Sequence, residues 1–229
     1  MTETIDTYNA ARTDSCQKTA VNVTYSHNYG GETCGMRFIL TYFGPLPPNG
    51  DPAEKHIIRQ ALLPQLRRQW EIDPALHNIA HSGSRDNPGA GTRLNDIGSK
   101  FKMGGFRFVP LVTREFNLVC NLQITMLRNE EPGNVIRSGG DIDNRIKTLF
   151  DSLSVPPHEN QLNDLVPKDG ENPFYCLLED DSLVTGFEVK TERLLEPIRN
   201  ETDVHLTLTA IVRPTKVTID NLSFLGGWL

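Results

Sequence analysis

Between Phe116 and Met126 apolar and polar residues take turns. Phe116, Leu118, Cys120, Leu122, Ile124 and Met126 are apolar, while Asn117, Asn121, Gln123 and Thr125 lie between them. Side chains two apart share one face of a strand, so this pattern demands a β-strand with one buried face and one wetter face. A strand of that kind cannot stand alone and requires a sheet around it. Partners are at hand. Met36 to Phe43 is dense in branched and aromatic residues and is halted by Pro45, Pro47, Pro48 and Gly50. Leu183 to Leu195 reads as another strand, and Val204, Leu206, Leu208, Ala210 and Val212 alternate with His205, Thr207 and Thr209.

Two segments carry the helical period instead. Ile58, Leu62, Leu66 and Trp70 recur every four residues, which predicts a helix over about 53 to 70 with a kink at Pro64. Ile142, Ile146, Leu149, Phe150 and Leu153 form a one-sided apolar face, so a second helix starts at or near Asp141. The order β-α-β-β-α-β-β predicts an α+β fold in which two helices cover a mixed β-sheet. At 229 residues one domain with additions is favoured over two. Residues 1–35, rich in Thr, Asn, Ser and Gly, read as a peripheral arm, either mobile or an added edge element around Thr19 to Tyr25. Residues 36–229 read as a single domain. Within it, 154–176 is expected to be a long connection through Pro156, Pro157, Pro167, Gly170 and Pro173, and 82–106 a basic loop.

Several functional classes are excluded early. No run of 18 apolar residues occurs and the first twenty residues lack a basic start followed by an apolar stretch, so a cytoplasmic protein without membrane contact is expected. Cys16, Cys34, Cys120 and Cys176 are far apart with no C-x-x-C pair, which predicts free thiols rather than a zinc site. There is no G-x-x-x-x-G-K-[ST] phosphate loop. The six histidines are scattered, and no Ser/His/Asp set follows from spacing.

Charge is distributed unevenly. The net charge is −6, yet Asp141 to Glu196 alone holds five basic and thirteen acidic residues, leaving the remainder slightly basic. Carboxylates concentrate at Asp141-Ile142-Asp143, opening the second helix, and at Glu179-Asp180-Asp181, just before a strand. Oxygen donors of this kind suit a hard cation such as Mg²⁺. Two structural alternatives stand beside that one: acidic residues favour a helix start through capping and the helix dipole, and an acidic run is commonly a solvated turn. A calcium EF-hand is ruled out, since counting from Asp141 its glycine and terminal glutamate positions hold Ile146 and Ser152.

Gly140-Asp141-Ile142-Asp143-Asn144-Arg145-Ile146-Lys147 continuing to Asp151, followed by Glu179-Asp180-Asp181-Ser182-Leu183-Val184, resembles the signature of the RusA-type Holliday-junction resolvases, D-x-D-N-x-x-K-x-x-x-D and then D-D-x-x-V. D-x-D alone says little, but the joined pattern is specific, and the resemblance extends from about Met36 to Arg213. It implies a RusA-like fold and a Mg²⁺-dependent endodeoxyribonuclease acting on branched DNA, such as the four-way junctions of recombination and repair, as a homodimer. By position it implies that Asp141, Asp143 and Asp181 hold the metal and that Lys147 acts in catalysis. Asp180 is a weaker neighbour, and Asp151 supports or solvates the helix. An ion pair between Asp143 and Lys147, at i and i+4, is the structural alternative. The chain departs from the family in its length and in a basic run reduced to Arg137 before the first aspartate. Arg85, Arg93, Lys100 and Lys102 are candidate replacements for DNA contact, with a solvated loop as the alternative. The alternative function is a non-catalytic nucleic-acid-binding module that retains a structural metal site.

Overall fold

The computed structural model describes residues 35–129, 142–162, 165–197 and 199–225. The class is α+β. Strand β1 (Met36–Pro45) leads through a proline turn to helix α1 (Pro52–Ile72), which is followed by α2 (Pro74–His81) and α3 (Arg93–Lys100). Then come β2 (Lys102–Met103), β3 (Phe106–Val112), β4 (Leu118–Arg128), α4 (Ile142–Leu153), β5 (Phe174–Leu178), β6 (Val184–Arg193) and β7 (Asp203–Pro214).

The alternating strand forms part of β4 and lies inside a four-stranded sheet of order β1-β7-β4-β6. Strand β7 runs antiparallel to both neighbours, while β6 runs parallel to β4, so the sheet is mixed. Its buried face carries Phe38, Leu40, Leu122, Ile124, Leu206, Leu208 and Ala210. Against that face pack Ile58, Leu62, Leu66 and Trp70 of α1 and Ile146, Leu149 and Leu153 of α4, the residues whose spacing predicted the helices. A second, three-stranded sheet of order β2-β3-β5 shares Phe106, Phe108 and Phe174 with Leu63 of α1 in a smaller core.

Four α-helices are described rather than the two expected. Helix α1 continues through Pro64, whose ring is exposed, and ends at Asp73. That residue also accepts hydrogen bonds from the Ala75 and Leu76 amides and so caps α2, with Pro74 at its first position. The expected basic loop over 82–106 contains α3 and β2. Its helix escaped the apolar period because Arg93 and Asp96, buried among its polar residues, take up much of its inner face. The connection over 154–176 holds a 3₁₀ turn at Glu159–Leu162 and delivers the start of β5. Gly104 and Gly105, both at positive φ, make the tight two-residue link between β2 and β3.

One contact fixes α4 to the start of α1. The Gly50 amide donates to Thr148 Oγ1 at 2.8 Å, and a Cβ on Gly50 would stand 2.7 Å from Thr148 Cγ2. Lys55 and Asp151 form a 2.8 Å ion pair between the same helices, which makes Asp151 a supporting residue. The buried Arg59 guanidinium donates to the Asp151 and Ser154 carbonyls. Together these contacts hold α4 against α1.

Candidate active site

Asp143 stands in the first turn of α4 and Lys147 one turn later, on the same face and both exposed. Among the described residues neither side chain has an ion-pair or hydrogen-bond partner, so the Asp143–Lys147 ion pair weighed above is not formed. The stripe continues to Phe150, whose ring meets Phe187 of β6 edge-on at 5.2 Å between centroids. The opposite side of α4 is its anchor, through buried Arg145, Ile146, Thr148, Leu149 and Ser152.

Asp181 opens a 3₁₀ turn, Asp181–Leu183, that packs against α4 and leads into β6. The side chains around it are tied together. The Arg114 guanidinium donates to Glu179 at 2.7 Å, to Asp180 at 3.1 Å and to Ser182 Oγ at 2.7 Å, while the Arg114 amide donates to Glu179 at 2.9 Å. Asp180 caps the turn by accepting from the Ser182 amide at 3.0 Å and also from the Ser182 hydroxyl. Those Ser182 hydrogen bonds, with Arg114, hold the Asp180 carboxyl below the usual carboxylate range. The Glu179 hydrogen bond in turn raises Arg114. Asp181 alone in this run is exposed with an uncommitted carboxylate among the described residues. Adjacent aspartates thus divide into one that builds the turn and one that the turn presents.

Asp141 and Arg137 lie outside the described residues. Among the described residues no group of three or more His, Cys, Asp or Glu side chains gathers where it could hold a metal ion. Asp143 and Asp181 provide two members of the implied set, both with oxygen donors free of cationic partners, a chemistry that fits a hard cation.

The other described candidates lie on or before α3 and on β2. Arg85 is paired with Asp220, including one contact of 2.8 Å. Arg93 is buried and binds Glu115, with its guanidinium 5.9 Å from the Phe116 ring centre, and Lys100 binds the same glutamate at 2.8 Å. Lys102 is exposed on β2 opposite Arg107. Three of these four cations are therefore occupied within the fold.

Sequence reasoning did not single out Arg114, because one arginine in the turn between β3 and β4 has no signal until that turn is folded beside Glu179. Phe187 and Phe150 were equally silent as a pair, since 37 residues separate two ordinary core-type side chains. Thiol chemistry is disfavoured at the two cysteines among the described residues: Cys120 and Cys176 are free and buried, and burial pushes the Cys120 thiol up to about 12 and raises that of Cys176. No helix of the described residues is long and apolar enough to cross a membrane. Neither the protein-family models nor the curated proteins compared with the sequence include a match to it.

Proposed function

We propose that the chain is a Mg²⁺-dependent endodeoxyribonuclease of the RusA-like type, which hydrolyses phosphodiester bonds in branched DNA such as a four-way junction. Support comes from one contrast. The described carboxylates and cations around the turn are tied into ion pairs and caps, whereas Asp143, Lys147 and Asp181 are exposed and have no partner among the described residues, on an anchored helix and the turn that packs against it. An exposed charge that stabilises nothing in the fold is available to a ligand.

Asp143 and Asp181, with Asp141 as the third member that the motif implies, would hold the ion. Bound Mg²⁺ would supply activation of a water and offset of charge on the phosphate. Lys147 is an exposed cation one helical turn from Asp143. Its ammonium offsets negative charge that develops on the phosphate oxygens or the leaving oxygen, as preorganised donors do in other charge-developing reactions. The helix fixes the backbone spacing of the two residues at one turn, and bound metal and phosphate would select their rotamers. A homodimer would present two such sites to two strands of a symmetric junction.

The test is cleavage of an end-labelled four-way junction by the full chain in Mg²⁺. Paired nicks at the branch are expected. Asp143→Asn and Lys147→Ala should each lower the rate on the order of 100-fold or more while junction binding survives. Binding without Mg²⁺-dependent product at any protein concentration would instead assign the chain to the non-catalytic class.

A further inference from the structure

We infer that Phe187 and Phe150 form a base-stacking platform beside the catalytic stripe, and that its ligand is an unstacked base at the branch point of DNA. The inference rests on the nuclease proposal and specifies how that site would select distorted DNA over continuous duplex. Phe187 sits on the sheet's edge strand with 55% of its surface exposed, an uncommon position for a phenylalanine in a strand that otherwise packs against β4. Its ring is not loose, because the Phe150 ring braces it at 83° and 5.2 Å. An edge-to-face pair leaves the outer face of one ring open, and the contact favours this arrangement of the two rings.

Location makes this an acceptor for nucleic acid in particular. Phe150 lies three residues after Lys147 and seven after Asp143, on the same stripe of α4. Along the helix axis the backbone of Phe150 is thus about 5 Å from that of Lys147 and about 10 Å from that of Asp143. A nucleotide combines an anion and a flat apolar ring at a similar separation. Every base has a π-face, so stacking on an aromatic side chain needs no sequence match. In continuous duplex both faces of a base are already stacked and the platform has little to offer. At a branch point the terminal base pairs can open, and an exposed aromatic ring can receive a released base.

The measurement is binding of a fluorescently labelled four-way junction, compared with linear duplex of the same length. Ca²⁺ replaces Mg²⁺ to limit cleavage. Phe187→Ala should weaken junction binding about 5- to 100-fold and duplex binding far less, and Phe187→Trp should restore junction affinity. Because the ring is more than half exposed, the alanine variant is expected to stay folded, with a small fall in its unfolding midpoint from loss of the Phe150 contact. Equal affinity of wild type and Phe187→Ala for the junction overturns the platform while leaving the nuclease proposal standing. Equal losses on junction and duplex also overturn it. So does a Phe187→Ala protein whose oligomeric mass falls in step with its affinity, which would make the ring a contact between copies of the chain. Failure of wild type itself to bind either DNA overturns both proposals together.

Discussion

Adjacent carboxylates at the turn before β6 have the same chemistry and opposite roles. Asp180 accepts two hydrogen bonds from Ser182 and one from Arg114, and Asp181 accepts none from a described side chain. The same substitution at the two positions should therefore separate folding from function. Asp180→Ala removes a cap and an ion-pair partner and should cost about 1 kcal/mol of stability, read as a lower denaturation midpoint. Asp181→Ala removes nothing that holds the turn. It should leave that midpoint in place and reduce Mg²⁺-dependent junction cleavage on the order of 100-fold. A loss of stability at Asp181 equal to that at Asp180 would show that both aspartates are structural. Sequence alone pointed to the second aspartate only through the D-D-x-x-V resemblance. The physical reason for the distinction is Arg114, 66 residues earlier in the chain.

At the scale of elements, legibility followed hydrophobic period. Strand β4, strand β7 and helix α4 were readable because their apolar residues recur at the spacing of the face they bury. Helix α3 was not, since Arg93 and Asp96 occupy its buried side as a polar cluster with Glu115 and Ser84. Helix α2 did carry a local signal, Asp73-Pro74 as cap and first position, which the longer period of α1 masked. Strand β3 includes Pro110, a residue normally read as a strand breaker, and it is tolerated because β2 pairs only with Phe106 and Arg107 and leaves an edge beyond them. The docking of α1 on α4 was invisible for another reason: it depends on the missing side chain of Gly50. Gly50→Ala would push a methyl to 2.7 Å from Thr148 Cγ2 and should destabilise the protein by about 1 to 3 kcal/mol. Thr148→Ser deletes that methyl but keeps the hydroxyl that accepts from the Gly50 amide, so the double variant should recover part of the loss. Additive losses in the two single variants and the double would mean that the close approach is not what makes Gly50 necessary.

At the scale of the whole molecule, α1 joins two cores. Ile58, Leu62 and Leu66 enter the larger one against the four-stranded sheet, and Leu63 enters the smaller one beside the three-stranded sheet. His56 reaches the smaller core too, where its ring centre lies 5.5 Å from that of Phe106 and 5.6 Å from that of Phe174. Burial lowers its pKa below the usual imidazole value of 6.5, the Arg59 and Lys168 charges act in the same direction, and Glu171 opposes them. The folded state therefore holds a neutral imidazole where the unfolded chain would begin to bind a proton. In the window between the two pKa values the unfolded state carries more protons, so stability rises with pH there. The contribution of the neutral ring is present in full above about pH 6.5 and is lost as pH falls from there through the lowered folded value. Because α1 spans both cores, loss at this ring should weaken the whole unfolding transition rather than one corner of the fold. Denaturant midpoints measured from about pH 8 down to about pH 5 should fall for the wild type. His56→Leu, which keeps an apolar side chain between the two phenylalanines but cannot titrate, should show a shallower fall over the same window. Parallel curves for the two proteins would place the acid sensitivity on other groups and make His56 a packing residue alone.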